Sequence, residues 1–422
     1  MNIAVIGSGI AGLTAGYLLS QKHTVTLYER QPTPGMDAFS VDLEGGVRLD
    51  VPMRLNYPGY YRALLAMYAH LGIETQRLQA NATFLTPDGH PYFRFSTRRL
   101  GPLALPQLDG EPSGQWSAGQ IAADAWRLAQ QASHDLASGT VGNVTLEDYL
   151  AHNRYSADLA EGFLYPFYAT ISTCAYATVR NMPAQVILET LNPRILLSGF
   201  RTFQRVKHGT QAVVKALTQP IQSLRLSTTV EAVCRVPGGV QVVENNGASS
   251  VYDHAIIATQ ANHALKLVAD ANPAERSVLH AFPYESCEVV IHTDANLLPP
   301  CSRDWAQMNF VVGSEDVLPT ATGWMNPAYP ELAARPPIFH TLNPASPIDP
   351  AHIIDRTWFE RATLSPTALP AWQTLQNLHN ERGRQLWFVG AYATPGLALQ
   401  ENAAESAVQV ALRLGVAPPW ER

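Results

Sequence analysis

The hydrophobic positions of this chain fall into two textures. Short apolar runs, glycine turns and Ala/Leu-rich helical stretches fill its beginning, resume near Gly209 and close its end, while aromatic-rich, proline-broken stretches lie between. Asn2–Ile6 (NIAVI) is apolar and β-branched and predicts a buried strand. Gly7-Ser8-Gly9-Ile10-Ala11-Gly12 follows, then a helical stretch from Leu13 to Ser20, a second apolar run at Thr24–Tyr28, and Glu29-Arg30. Strand, glycine turn, helix, strand and acid come in the order a dinucleotide-binding unit requires. Gly7 permits the tight turn off the strand, Gly9 lets backbone approach a pyrophosphate, and Gly12 lets helix and strand pack closely. The helix N-terminus offers free N–H groups and a positive dipole end to the phosphates. Glu29 can accept from ribose hydroxyls, and its charge would repel a 2′-phosphate.

Further along, alternating Phe39–Leu43 and Val47–Val51 predict strands either side of Gly45-Gly46, the second running into Pro52-Met53-Arg54-Leu55-Asn56. Tyr60–Leu71 predicts a helix closed by Gly72. From about Ala80 to Phe200 the texture changes. A hairpin is expected around Pro87-Asp88-Gly89, a Pro/Gly-rich loop over Pro102–Gly119, and helices over Ile121–Ala137, Thr145–Asn153 and Pro183–Leu191. Gly209–Leu217 predicts another helix. Leu224–Val230, Val233–Val236, Gly239–Glu244 and a buried Val251–Ala258 predict strands, as do Glu288–His292, Met308–Val312 and Ile338–Leu342. Leu386–Tyr392 reads as a last strand and Asn402–Leu414 as a last helix, with no internal repeat.

Composition narrows the class. At 422 residues and 46% hydrophobic, the chain exceeds the size of one core and predicts two domains. A net charge of −6 argues against nucleic acid as a partner. The cysteines (Cys174, Cys234, Cys287, Cys301) are far apart and no His/Cys cluster has metal-ligand spacing, so no metal is expected. The first strand leaves no room for a signal peptide, and no apolar run reaches the ~18 residues of a membrane span. A cytoplasmic location without a transmembrane segment is the expectation. Lysine is confined to Lys22, Lys207, Lys215 and Lys266.

GSGIAG with Glu29, the glycine-led helix at Gly209, the strand ending Ala258-Thr259 and the terminal strand–glycine–helix together resemble the FAD-dependent amine oxidase superfamily. Asp50–Asn56, Tyr252–Thr259, Trp324-Met325-Asn326, Thr341–Pro344 and Phe388–Tyr392 resemble its bacterial branch of predicted NAD/FAD-binding proteins. The resemblance implies an α/β fold: a Rossmann-type, two-dinucleotide-binding FAD domain with a second, mixed α+β substrate domain. The FAD domain would comprise residues 1–79, 203–268 and 379–422, and the substrate domain 80–202 and 269–378. It further implies non-covalent FAD, with Gly7–Gly12 at the pyrophosphate and Glu29 and Arg30 at the adenosine ribose. Val230 would meet the adenine, Gly390 and Ala391 the ribityl chain, and Leu399, Gln400 and Glu401 the flavin N1/C2=O edge. Gly35 and Met36 stand where the family has a double-glycine phosphate loop, Asn56 and Arg54 end a strand near the expected flavin ring, and Met53 is a further cofactor-binding candidate. Arg54 suits a carboxylate, the cofactor or a surface ion pair.

Tyr168, Tyr176, Trp324, Tyr392 and Asn56 are the candidate pocket residues, with core packing the competing reading for Tyr168 and Phe167. The implied activity is transfer of hydride from a C–H bond of an amine or hydrophobic, lipid-like small molecule to flavin N5, with oxygen or another acceptor reoxidising the flavin. The lysine that amine oxidases use at N5 has no counterpart beyond Lys266. A flavin-dependent isomerase or mutase without net oxidation is therefore the alternative, and a non-enzymatic lipid-carrier escort the third reading. The catalytic residues and the oligomeric state stay open at this stage.

Overall fold

A computed structural model describes residues 1–78, 81–100, 103–110, 116–191, 203–313 and 318–421. Asn2–Ile6 is the middle strand of a five-stranded sheet in the order Ser223–Arg225, Thr24–Tyr28, Asn2–Ile6, His254–Ile257, Leu386–Phe388. Every pairing in it is parallel. Parallel sheets are covered on both faces, which is why these strands read as apolar runs and not as alternation. Helix Ile10–Leu19 is buried on all sides and packs against Gly209–Thr218 and Gln400–Arg413. The chain leaves the central strand for Thr24–Tyr28 on one side and later returns beside it as His254–Ile257 on the other. The end of Asn2–Ile6 is thus a topological switch point, where open parallel sheets bind ligands.

A second, eight-stranded sheet runs in the order Ile353–Ala362, Tyr284–His292, Phe339–Leu342, Thr320–Trp324, Met308–Val311, Ala82–Leu85, Pro91–Leu100, Leu103–Asp109. It is antiparallel except where Met308–Val311 meets Ala82–Leu85. Helices between Ala118–Ser138 and Ala184–Thr190 pack beside it. Each sheet has its own apolar core, and Phe163 and Phe167 touch both. They lie on a π-helical turn, Ala160–Leu164, and the helix Tyr165–Ser172 that continues it.

Several expectations change. Pro102–Gly119 is not a plain loop: Leu103–Asp109 pairs with Pro91–Leu100, and a helix begins at Ala118. Pro106 falls on the last strand of this sheet, a position where proline is tolerated. The single strand expected over Val251–Ala258 is two. Ser249–Tyr252 pairs antiparallel with Gly239–Glu244, while His254–Ile257 joins the parallel sheet. Asp253, between them, accepts from Asn2 N at 2.6 Å. Leu224–Val230 divides likewise, Ser223–Arg225 staying parallel and Val230 opening an antiparallel strand, with Ser227 at φ +51 between. The last strand pairs only as far as Phe388. The landmarks Ala80 and Phe200 lie outside the described residues.

The glycine turn sets the closest approach in the parallel half. A Cβ on Gly12 would run into the carbonyl oxygen of Gly7, a backbone atom fixed by its own turn. Gly12→Ala is therefore expected to cost about 1–3 kcal/mol, the usual range for overpacking. The check is the urea midpoint, and an unchanged midpoint would contradict this packing.

Candidate functional site

The turn from Ile6 into helix Ile10–Leu19 is held by backbone geometry and one carboxylate. Gly7 sits at φ +102 and its N–H donates to Tyr28 O at 2.9 Å. Glu29 is buried at the end of its strand. Its Oε2 accepts from Ser8 N (3.1 Å) and Ser8 Oγ (2.5 Å), and its Oε1 from Gln31 N (2.8 Å). Ser8 Oγ accepts in turn from Gly35 N at 2.6 Å. One acid therefore ties the glycine turn to the loop carrying Gly35 and Met36. No side chain caps helix Ile10–Leu19, so its first N–H groups stay available to an anion. A Cβ added to Gly9 would meet nothing within 4 Å, whereas Ala11 and Gly12 are buried behind it. Arg30 is exposed.

Gly9 and Ile10 form part of the wall of a cavity of about 770 Å³, within the roughly 300–1,000 Å³ of small-molecule sites. Gly35, Met36, Met53 and Arg54 continue that wall, and Leu397, Leu399 and Gln400 close it from the start of the last helix. Phe93, Phe163, Phe167 and Phe310 make it aromatic on the side of the large sheet. Tyr57, Tyr61 and Arg361 also line it. Arg54 Nη2 donates to Met36 O at 3.1 Å, while its Nη1 is buried and meets no partner. The surface ion pair considered for Arg54 is not formed among the described residues; the side chain faces the cavity. Desolvation draws the Arg54 pKa down, the nearby Arg361 charge adds to this, and Asp50 opposes it. Burial likewise draws Arg361 down.

Other groups in the walls are held uncharged. Burial pushes the His340 imidazole down to about 4, and its Nε2 has no partner. Burial pushes the Cys287 thiol up to about 11, which leaves it unreactive at neutral pH. Glu360 is the one carboxylate among the described lining residues, and no lysine lines the cavity.

Of the pocket residues expected from sequence, Tyr168 lines this cavity, its hydroxyl 2.5 Å from Thr190 Oγ1. Phe167, for which core packing is the favoured reading from sequence, lines it too. Four others are not among its lining residues. Tyr176 bonds the strand Met308–Val311 region, donating to Val311 O at 3.3 Å and accepting from Gly313 N at 3.1 Å. Trp324 packs edge-on to Trp305 at 5.6 Å. Tyr392 is buried against Phe282 at 5.4 Å. Asn56 exchanges backbone hydrogen bonds with Gln204 (2.7 and 2.6 Å), which fixes it beside that strand. Glu401 is also redirected: its carboxylate accepts from Ala63 N (2.7 Å) and Leu64 N (3.0 Å). Those are free first-turn donors of helix Arg62–His70, which attract an acid more strongly than an open cavity does. Gly390 N donates to Ser406 Oγ at 2.9 Å and Ala391 follows it, neither among the lining residues, and Val230 is buried opposite Glu244. Arg361, Tyr57 and Tyr61 were not singled out in the sequence, since nothing local marks them.

Residues 5–71 match the family described as an NAD(P)-binding Rossmann-like domain. No curated protein matches the chain by sequence. Solved structures do match by shape. A CLA-producing fatty acid isomerase from P. acnes superposes with a TM-score of 0.70 at 16% identity, covering 98% of each chain. A putrescine oxidase bound to putrescine gives 0.67 at 12% identity, over 98% of this chain and 99% of the other. Cyclohexylamine oxidase from Brevibacterium oxydans IH-35A gives 0.66 at 14%, with the same coverage. Identities this low establish a shared fold and leave chemistry to the site. Among the described residues no group of three His, Cys, Asp or Glu side chains is placed to hold a metal, and no helix is long and apolar enough to cross a membrane.

The space in front of Gly9 yields a prediction. Gly9→Val should remove the flavin that the sequence resemblance implies while leaving the circular dichroism spectrum and unfolding midpoint near the parent's, because a Cβ there meets no protein atom within 4 Å. Stoichiometric flavin absorbance in that variant would contradict the assignment.

Proposed function

We propose, from the fold of the FAD-dependent amine oxidase-like superfamily that this chain shares, that it is an enzyme holding FAD non-covalently and removing hydride from a C–H bond of a hydrophobic or amine substrate. The supporting observation is the single cavity that joins the glycine turn, Met53–Arg54 and the start of the last helix to an aromatic wall. The residues suit the cofactor: Gly9 leaves space for a backbone-cradled pyrophosphate, and the helix it opens has no side-chain cap. Gly9 and Ile10 would hold that group, Glu29 the ribose, and Leu399 and Gln400 the polar edge of the flavin. FAD, when bound, supplies the hydride acceptor. Phe163, Phe167 and Phe310 exclude water from the remaining space and orient an apolar substrate. His340 stays neutral and Cys287 protonated, so neither competes for a proton near neutral pH. The division into residues 1–79, 203–268 and 379–422 for cofactor and 80–202 and 269–378 for substrate belongs to this proposal, as does oxygen or another small acceptor.

A second reading, isomerisation without net oxidation, has one specific observation behind it. Among the described lining residues there is no lysine, and burial moves His340 and Cys287 away from neutral pH. The visible spectrum of the purified protein, followed anaerobically with alkylamines and unsaturated fatty acids, separates the readings. Bleaching by a substrate whose product is oxidised is the expected result. Product formed only after the flavin is first reduced, at unchanged oxidation state, would transfer the assignment to the isomerase. Protein without flavin absorbance would overturn both.

A further inference from the structure

Among the described residues, the cavity walls hold two guanidinium groups, Arg54 and Arg361, and one acid, which is engaged elsewhere. Glu360, its side chain 48% exposed, takes a hydrogen bond from Asn262 Nδ2 at 3.3 Å and lies 3.8 Å from His263 Nε2. Arg361 lies near the end of strand Ile353–Ala362, directly across the sheet from Glu285. Facing residues of opposite charge ordinarily pair. Glu285 instead accepts from Ala175 N (2.8 Å) and Thr178 Oγ1 (2.7 Å), at the first turn of helix Tyr176–Arg180. Arg361 is left with one hydrogen bond among the described residues, from Nη1 to Ile171 O at 2.9 Å.

The segment carrying that carbonyl has unspent donors of its own. Thr170 and Thr173 flank Ile171, both line the cavity, and both hydroxyls are buried without a partner. A guanidinium and two hydroxyls are thus left under-bonded along one short stretch of an otherwise apolar wall. Buried polar groups in that condition are costly. A carboxylate has about four acceptor sites and a shape matched to the guanidinium fork, and hydroxyls beside that fork can donate to the same group. An alkylammonium would bring a third positive charge into the same low-dielectric space.

We infer that the cavity selects amphipathic anions: a carboxylate head anchored by Arg361 with Thr170 and Thr173, and an apolar chain lying against Phe163, Phe167 and Phe310. This narrows the substrate class of the proposed enzyme and rests on the cavity being its substrate chamber. Arg54, which bonds the Met36 loop, belongs to the cofactor side and raises the positive potential felt by the head group.

The test is displacement of an apolar fluorescent dye from the purified holoprotein by dodecanoate, dodecylamine and methyl dodecanoate. Dodecanoate should bind about 10- to 100-fold more tightly than the amine or the ester, the range for hydrogen bonds to a charged group. Arg361→Gln should erase that preference without weakening the ester, and Arg361→Lys should keep part of it. The double variant Thr170→Val and Thr173→Val, with the arginine intact, should lose carboxylate affinity selectively and serves if Arg361→Gln does not fold. Equal affinities in the parent protein, tighter binding of the amine, or a preference untouched in the variants overturns the inference. Dye displacement needs no turnover. Selection of dodecanoate without flavin bleaching would therefore sink the oxidoreductase reading and keep this one, and bleaching without carboxylate selection would do the reverse.

Discussion

Helix Ile10–Leu19 starts so close to the end of strand Asn2–Ile6 that Gly12 has no room for even a methyl group beside the Gly7 carbonyl. That contact fixes where the helix begins and which way its free N–H groups face. Because the helix is apolar on every side, it must then be covered, and Gly209–Thr218 and Gln400–Arg413 cover it. Segments nearly four hundred residues apart in sequence are brought to the same sheet end for this reason. Glu29 adds a polar lock, joining Ser8, Gln31 and, through Ser8, Gly35.

The cavity is a consequence of two cores meeting imperfectly. The parallel half and the large antiparallel sheet each bury their own apolar face, and they share Phe163 and Phe167 at the junction. The space left between is apolar, yet guanidinium groups from both halves face it. In a medium of low dielectric two like charges repel strongly, and the surrounding fold, with Asp50 near Arg54, holds them there. The same medium keeps His340 neutral and Cys287 protonated.

Several side chains that look functional are spent on structure. Glu401 supplies the acceptors for helix Arg62–His70, Tyr176 bonds the segment at Val311 and Gly313, and Glu285 serves the turn at Ala175. In each case an unsatisfied backbone group lay within reach, and satisfying it outweighs leaving the side chain toward an open space. Arg361 faces the cavity for the complementary reason, since its cross-strand acid is already engaged.

Sequence alone determined the glycine turn, the two strands that flank it and the buried first helix, because their signals are local. Glycine spacing, β-branched runs and an acid at a strand end are complete within about thirty residues, and short-range sterics fix their geometry. Gly9, Gly35, Met53, Arg54, Tyr168, Leu399 and Gln400, named from the sequence, line one cavity. The sequence did not separate Ser249–Tyr252 from His254–Ile257, since both halves carry the same periodicity and only their partners differ. Nor did it reveal Arg361, whose surroundings come from Ile171, Glu285 and Cys287, remote in sequence from one another. Whether a charge is paired depends on what the completed fold sets beside it, and that is decided by long-range packing.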